Sequence, residues 1–471
     1  MLRFFKDFMI YGVASVVGRI AGILLLPVYT SILTREEYGA MAMLMSLYGV
    51  IDLVSNFNIH SGIARDYYEK GVDRKRLVST GFWSILALSC SIMAIMMVTR
   101  KFWVGHVLGL SDNFVICFVF LLLSVPTGSL SSYFSILTRF KKRPVLFSTG
   151  VLIQTFLQIG TAILTIVVFK IGVLGFFIAH VVANLFGIIY FALINREFLG
   201  FRFEKEYLRK ALMFSIPTLP AILAGWLDSS MGQILMGKYV SLTDLGVYSI
   251  ALQFASVFTL ISVALNNVWS PYLYENYKKV GFVSEVRRIF LIMVFFISVV
   301  ASCISLLSRE VILIFSNPNY LEAGKYFTLL CVPMGFYLLF PFASSGVSVS
   351  RDTKFIGISY VAGSVFNLAF LFALLPVMGV YCVPVGLALS RILSYSILYY
   401  VTNQKGLLTL PNGVLVMYVG VVLVCFLVVL LDLSIWWRLL VMVILNGGLF
   451  VLFDRKVHMV EFIKDKLCAS R

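Results

Sequence analysis

The feature of this sequence that most constrains its fold is a series of apolar stretches, each long enough to cross a bilayer as a helix. About 20 consecutive apolar residues are needed for one crossing. Only 13% of the residues are charged, whereas soluble domains carry about 25%. The chain is therefore predicted to be an all-α, polytopic membrane protein with about 14 transmembrane helices. The predicted spans are 8–33, 38–60, 79–99, 113–136, 145–168, 172–194, 212–235, 245–267, 289–307, 325–349, 355–375, 379–402, 414–431 and 435–453.

The distribution of basic residues between the spans predicts the orientation of the chain. Of the 38 Lys and Arg residues, 28 lie on the side of the N-terminus and eight lie on the opposite side, and the other two, Arg19 and Arg391, lie within spans. Basic residues accumulate in cytoplasmic loops, so both termini are expected in the cytoplasm. The net charge of +16 is explained by this topology and does not indicate nucleic-acid binding.

Short loops and missing motifs exclude several classes of function. No loop exceeds about 20 residues, and no G-x-x-x-x-G-K-[ST] phosphate loop occurs. The four histidines are far apart, and the seven cysteines have no metal-binding spacing. The sequence therefore predicts a protein that is not an enzyme and that binds neither a cofactor nor a metal ion.

An internal repeat appears when the chain is shifted by 207 residues. The segment "LTREEYG", which ends at Gly39, then falls on "SLTDLG", which ends at Gly246. Both segments begin a predicted helical hairpin that ends in a basic, tyrosine-rich loop. Both copies start on the same side, which predicts two six-helix lobes in a parallel pseudo-repeat. The predicted domains are residues 1–200, 201–408 and an extra helix pair with a basic tail, 409–471.

Ionisable residues within membrane spans are the first candidates for function, because their insertion is costly. Four stand out: Arg19, Asp52, Asp228 and Arg391. Other polar side chains recur at helical spacing on both halves of the chain, which favours a water-filled cavity over isolated helix–helix hydrogen bonds. The candidate cavity-lining residues are Ser15, Asn56, His60, Gln154, Gln158, Gln233, Gln253 and Asn367.

These charges allow more than one interpretation. Arg19 could form an ion pair with Asp52, or it could bind an anion, since arginine recognises phosphate by paired hydrogen bonds. Arg391 is a second candidate anion ligand. Asp52 and Asp228 could complete charge pairs, bind Na⁺ or carry protons, and the polar stripes could serve only as hydrogen-bonded helix seams.

The segment "LPVYTSILTREEYGAMAMLMSLYGVIDL" (26–53), followed by "ARDYYEKG", resembles the polysaccharide-transporter branch of the multidrug/oligosaccharidyl-lipid/polysaccharide exporter superfamily. The resemblance implies two six-helix lobes around a central cavity. It also implies a flippase in the bacterial inner membrane for polyprenyl-diphosphate-linked O-antigen, capsule or exopolysaccharide repeat units. It implies that Arg19, by its helix and depth, contacts the diphosphate or an acidic sugar. The expected partners are the lipid-linked oligosaccharide, membrane lipids, a coupling H⁺ or Na⁺, and the glycan polymerase and glycosyltransferases of the same pathway.

Three other functions stay open from the sequence. A peptidoglycan-precursor flippase is favoured by the count of fourteen helices, because the extra pair resembles that branch. A cation-coupled multidrug exporter of the same superfamily would need acidic cavity residues. A scaffold for membrane glycosyltransferases would not depend on Arg19.

Overall fold

The computed structural model describes residues 17–18, 22–69, 71–198, 200–350, 352, 354–404 and 409–457, and the regular structure in these residues is helical. Short 3₁₀ or π segments extend or connect several of the helices. The α-helices are α1 (Leu26–Ile32), α2 (Arg35–Asn56), α3 (Ile59–Asp66), α4 (Arg74–Val98), α5 (Val115–Phe140), α6 (Pro144–Ile163), α7 (Val173–Ile194), α8 (Lys205–Ser215), α9 (Leu219–Trp226), α10 (Gly232–Tyr239), α11 (Leu242–Asn276), α12 (Phe282–Leu306), α13 (Ser308–Phe315), α14 (Ala323–Val349), α15 (Lys354–Met378), α16 (Cys382–Gln404), α17 (Gly413–Leu430) and α18 (Ile435–Val457).

The described helices agree with the predicted number of membrane spans. Twelve apolar helical stretches in the described ranges are long enough to cross a membrane. One of them, Lys354–Gln404, has 51 residues and contains both α15 and α16, so it accounts for two predicted spans. The first predicted span is described mainly over Gly22–Ile32, a shorter apolar helix. The prediction of an all-α, multi-pass membrane protein is confirmed.

The chain divides into two compact units, residues 1–246 and 247–471. The N-terminal unit includes α8 to α10, because α8 packs on α3 and α4 while α10 packs on α2. The domain boundaries predicted at residues 200 and 408 stay predictions.

The starts of α2 and α11 show the internal repeat in three dimensions. Each start is capped by a hydroxyl group, because the Thr34 Oγ1 accepts from the Glu37 amide at 3.2 Å and the Ser241 Oγ from the Thr243 amide at 3.1 Å. Thr34 and Ser241 are separated by the repeat offset of 207 residues.

Two glycines of the repeat also meet each other within the N-terminal unit. A Cβ atom placed on Gly39 would lie 1.9 Å from the carbonyl oxygen of Leu242, and one on Gly246 would lie 2.1 Å from that of Arg35. These two contacts are related by the same offset of 207 residues, so the two helix starts meet reciprocally.

The predicted extra helix pair, α17 and α18, is fixed to the rest of the C-terminal unit by polar contacts. Arg438 has an exposed fraction of 5% and makes hydrogen bonds of 2.5 and 2.9 Å to the Glu310 carboxylate. It also donates to the Leu306 carbonyl at 2.9 Å, at the end of α12. Within the span, the Ser302 hydroxyl donates to the Asn446 side-chain oxygen at 2.8 Å.

Candidate functional site

The second membrane span is broken, which the sequence analysis did not predict. Span 38–60 was expected to be one helix, but α2 ends at Asn56 and α3 begins at Ile59. Between them Phe57 and Asn58 have φ values of 43° and 53°, in the left-handed region. Asparagine tolerates this region because its short side chain bonds to nearby backbone, and here the Asn56 side-chain oxygen accepts from the Asn58 amide at 2.9 Å. The prediction of a continuous helix is therefore wrong.

The break changes what the polar stripe of the second span can do. Asn56 and Asp52 still lie together, because the side-chain nitrogen of Asn56 donates to an oxygen of the Asp52 carboxylate at 3.4 Å. His60 lies beyond the break on α3, so it no longer follows the helical register that placed it on the same stripe. The stripe is therefore divided between two helices.

Asp52 is held by a residue of a third helix. The Ser129 hydroxyl on α5 donates to the Asp52 carboxylate at 2.6 Å, and Ser129 has an exposed fraction of 3%. A short hydrogen bond to a charged acceptor is one of the stronger polar contacts in proteins. The sequence analysis missed Ser129, although the Ser- and Gly-rich stretch "SVPTGSLSS" of α5 carries the small polar residues that such a contact uses.

The seventh predicted span, 212–235, is also interrupted, at residues that contact the break of the second span. α8 ends at Ser215, residues Ile216–Thr218 form a 3₁₀ turn, and α9 follows. Pro217 and Pro220 explain the interruption, since proline lacks an amide proton and clashes with the preceding turn.

Hydrogen bonds join the two breaks directly. The side-chain nitrogen of Asn58 donates to the Thr218 hydroxyl at 3.2 Å, and the Ser215 hydroxyl donates to the backbone carbonyl of Asn58 at 2.9 Å. Asn58 and Ser215 are buried, with exposed fractions of 8% and 0%. A polar network therefore runs from Ser129 through Asp52 and the break of the second span to the break of the seventh. We call these residues the break network: Asp52, Asn56, Asn58, Ser129, Ser215 and Thr218.

The rest of the seventh span holds two further predicted site residues. Asp228 is 4% exposed and lies in a π-helical segment, Leu227–Met231. The Gln233 side chain donates to the Ser229 carbonyl at 3.4 Å. Above them, the Trp226 indole donates to the Ser46 carbonyl at 2.9 Å, which fixes α9 against α2.

Gln154 belongs to a second polar cluster of the N-terminal unit. Its side-chain nitrogen donates to Asn184 on α7 at 3.2 Å and to Ser131 on α5 at 3.4 Å. Gln158, one turn further along α6, is half-buried. The described part of the first span approaches this helix, because a Cβ on Gly18 would lie 3.8 Å from the Thr155 hydroxyl. Arg19 and Ser15 lie outside the described residues.

In the C-terminal unit, Arg391 lies between two aromatic rings. Its guanidinium carbon is 5.4 Å from the ring centre of Tyr337 on α14 and 5.5 Å from that of Tyr360 on α15. Both distances are within the range of cation–π contact. The rings orient a guanidinium that the sequence analysis placed within the twelfth span.

The other two predicted residues of this unit have different surroundings. Asn367 is 2% exposed in the seam of α15 and α16, where a Cβ on Gly386 would lie 2.6 Å from its side-chain oxygen. Gln253 is half-buried on α11. Across the described ranges, no three His, Cys, Asp or Glu side chains are grouped so that they could hold a metal ion.

Comparisons with known proteins agree with this architecture. A family model described as "Polysaccharide biosynthesis protein" matches residues 4–277. Lsg locus protein 1 of Haemophilus influenzae is 22% identical over 341 residues, which are 70% of this chain and 80% of that protein.

Two solved structures show the same fold. One is the lipid II flippase MurJ in an inward closed conformation, with a TM-score of 0.74, 14% identity, and coverage of 95% of this chain and 99% of that one. The other is an inward-facing multidrug resistance MATE family transporter of the MOP superfamily, with a TM-score of 0.62, 16% identity, and coverage of 84% and 94%. These relatives are transporters, in agreement with the expectation that the chain is not an enzyme. Because the family model matches more than half of the chain, the chain belongs to the polysaccharide biosynthesis protein family.

Proposed function

We propose that this protein is a flippase that moves a polyprenyl-diphosphate-linked oligosaccharide from the inner to the outer leaflet of the bacterial inner membrane. The oligosaccharide is an O-antigen, capsule or exopolysaccharide repeat unit, and the mechanism is alternating access. Both termini are cytoplasmic in this proposal, which is supported by the 28 basic residues on the side of the N-terminus and the eight on the other side.

The observation that carries the proposal is the position of Arg391 between Tyr337 and Tyr360. An arginine at the centre of a membrane helix costs about 2.5–3.5 kcal/mol to insert, so its presence favours a functional role. Guanidinium suits a diphosphate or an acidic sugar. Tyrosine rings combine an apolar face with a hydroxyl group, which suits the mixed surface of a sugar ring.

The other predicted site residues have defined roles in this proposal. Arg19 binds the diphosphate when the substrate enters. Asp52, held by Ser129 and Asn56, and Asp228 either carry the coupling H⁺ or Na⁺ or pair with the arginines. An inside-negative potential favours the outward movement of the negatively charged head group by about 2.3 kcal/mol per charge at 100 mV. The glycan polymerase and glycosyltransferases of the pathway are the proposed protein partners.

A second candidate, a peptidoglycan-precursor flippase, is favoured by the fold similarity to the lipid II flippase, which extends over 95% of this chain. Both candidate substrates are lipid diphosphates, so the role of Arg391 is the same in each. The fold similarity to a MATE transporter supports a third candidate, a cation-coupled multidrug exporter.

The test uses a strain that lacks the gene and is complemented with wild type, Arg19→Ala, Arg391→Ala or Arg391→Lys at matched membrane levels. Arg100→Ala is the control, because this arginine follows α4 and its side chain donates to the Met97 carbonyl at the end of that helix. We would measure lipid-linked glycan on the cytoplasmic side and glycan at the cell surface. Accumulation inside the null strain and the Arg391→Ala strain, but not in the control, supports the proposal.

Other results separate the candidates. Accumulation of lipid II in place of another lipid-linked glycan identifies the second candidate. No accumulation of any lipid-linked glycan in the null strain contradicts both flippase proposals and favours drug export. Accumulation in the null strain alone keeps the flippase and returns Arg19 and Arg391 to structural roles.

A further inference from the structure

Two apolar grooves lie on either side of one stripe of α8. The first, of about 590 Å³, has α8 on one side and α4 on the other, where Trp83, Ala87 and Leu88 line it. The second, of about 520 Å³, lies on the other side of α8. Both grooves share Leu208 and Leu212 of α8 and Ile216 of the 3₁₀ turn that follows it. A single chain can therefore pass from one groove to the other along this stripe.

One end of the grooves has the character of a membrane interface. Lys205 and Arg209 line the second groove at the start of α8. Phe203, 55% exposed, lines the first groove beside Trp83, whose indole donates to the Gly200 carbonyl at 3.0 Å. Aromatic and basic side chains together are typical of the boundary between hydrocarbon and head groups.

The other end of the grooves reaches the break network. Phe57 and Ile59, which line the first groove, are the chain neighbours of Asn58. Ile216 and Pro217, which line the second groove, lie between Ser215 and Thr218. A chain bound in the grooves therefore touches both helix breaks, which are joined by hydrogen bonds.

We propose that these grooves bind the polyprenyl tail of the lipid-linked substrate in the inner leaflet, with its phosphate at Lys205 and Arg209. This inference rests on the proposed function and adds a tail site to it. Bilayer tails are as apolar as the grooves, so the hydrophobic effect gives no preference for any lipid. Selectivity must come from charge and shape. The basic end provides the charge, and the path around the α8 stripe fits one long branched chain better than the paired tails of a phospholipid.

The site also gives the substrate a way to act on the break network. A tail in the first groove packs against Phe57, a non-glycine residue held in the left-handed region, which is a strained conformation. Tail binding then stabilises one arrangement of the two breaks over others. A ligand shifts a conformational equilibrium only by such differential contacts.

The test uses the full-length protein in nanodiscs that contain phosphatidylethanolamine and phosphatidylglycerol, with a photoreactive undecaprenyl phosphate as the probe. We expect labelled peptides from 83–91 and 203–217, and we expect undecaprenyl phosphate to compete at concentrations where added phosphatidylglycerol does not. Equal competition by phosphatidylglycerol would show that ordinary lipid fills the grooves, and labelling elsewhere would show that the tail site is not here.

Variants test the two features of the site separately. Ala87→Trp fills the first groove from an exposed position on α4 and should lower labelling at least about fivefold. Ile95→Trp, on the same helix at a residue 64% exposed, is the matched control and should leave labelling unchanged. Lys205→Gln and Arg209→Gln should each weaken binding about fivefold, the effect of one interfacial charge. Unchanged labelling in Ala87→Trp would overturn the proposal.

The same variants in the complemented strain separate this inference from the proposed function. If wild type restores surface glycan and Ala87→Trp does so equally well, the flippase stands and the tail site is wrong. If wild type binds undecaprenyl phosphate at the grooves but the null strain accumulates no lipid-linked glycan, the site stands and the proposed function fails.

Discussion

α2 and α11 are related by the internal repeat, yet only one of them is broken. Both begin with a capping hydroxyl and the reciprocal glycines Gly39 and Gly246. α2 then ends at Asn56, whereas α11 continues without interruption from Leu242 to Asn276. The two copies therefore share their starts and differ from Asn56 onward, where the first copy is interrupted.

The residues at equivalent positions explain the difference. Asp52, Asn56 and Asn58 of the first copy correspond to Thr259, Val263 and Leu265 of the second. Valine and leucine cannot bond to backbone groups as asparagine does, so Val263 and Leu265 do not stabilise a left-handed residue at these positions. The two copies of the hairpin therefore differ in structure where a few polar residues differ.

The largest expected loss of stability comes from substitutions in the glycine contact that the two copies share. Gly39→Ala and Gly246→Ala should each destabilise the protein by about 3 kcal/mol, because the new methyl group meets a backbone carbonyl that can move only with its helix. Denaturant unfolding in detergent would measure this. Gly420→Ala, where a Cβ would have open space, is the control. If both glycines tolerate alanine, the reciprocal contact is not tight.

The next largest expected loss of stability comes from a substitution in the helix break, which only the first copy has. Asn58→Leu installs the residue of α11 and should cost about 2 kcal/mol, because it removes the hydrogen bond to Thr218 and strains the left-handed conformation. The reverse change, Leu265→Asn, should not create a break in α11, since Thr259 and Val263 stand there in place of Asp52 and Asn56. Equal stability of Asn58→Leu and wild type would show that the bonds between the breaks contribute little.

A smaller effect is expected from the α5 contact to Asp52. Ser129→Ala removes one hydrogen bond to a carboxylate and should cost about 1 kcal/mol in unfolding measurements. Ser91→Ala is the matched control, because its hydroxyl is exposed and bonds only to the Ala87 carbonyl of its own helix. If Ser129→Ala lowers the free energy of unfolding no more than Ser91→Ala does, water replaces the Ser129 hydroxyl as the hydrogen-bond donor to Asp52.

The smallest effect lies outside the spans and tests whether the break is independent of the rest of its unit. The Lys141 ammonium donates to Glu197 at 2.9 Å, and this hydrogen bond lowers the pKa of the Glu197 carboxyl below its ordinary value of 4.5. A lowered folded-state pKa stabilises the protein above the ordinary value, and the stabilisation is lost as the pH falls through the folded pKa.

Because the Glu197 side chain is 54% exposed, the change should be about 0.5 kcal/mol or less. As the pH falls below about 4.5, the free energy of unfolding should decrease by the same small amount in wild type and in Asn58→Leu. Glu197→Gln should remove this pH dependence. A different pH dependence in Asn58→Leu would show that the break is coupled to the ends of α5 and α7.

The sequence was sufficient to predict the spans and the repeat, because these depend on apolar length and on a fixed offset. It was not sufficient to predict the break at Phe57 and Asn58, since an apolar run containing asparagine has the same periodicity whether or not it is broken. The stretch "SNFNIH" did contain the signal, because asparagine favours left-handed turns.

The partners of the predicted site residues were harder to predict than the residues themselves. Asp52 and Gln154 were identified from their own polarity, but Ser129 and Asn184 contact them from other helices. Serine is common in membrane helices and bonds readily to its own backbone, so its type alone does not indicate a partner. Which helix faces which is decided by packing, which spacing along one helix does not report.

The contact between Gly39 and Gly246 also limits how this hairpin can change by mutation. The atom that blocks a side chain at each glycine is a main-chain oxygen, at Leu242 and at Arg35. Every amino acid has that oxygen, so no replacement of residue 242 or 35 can make room for a larger residue opposite. A suppressor of a substitution at either glycine would have to move a whole helix, and a search for second-site revertants should find none at the two residues that touch.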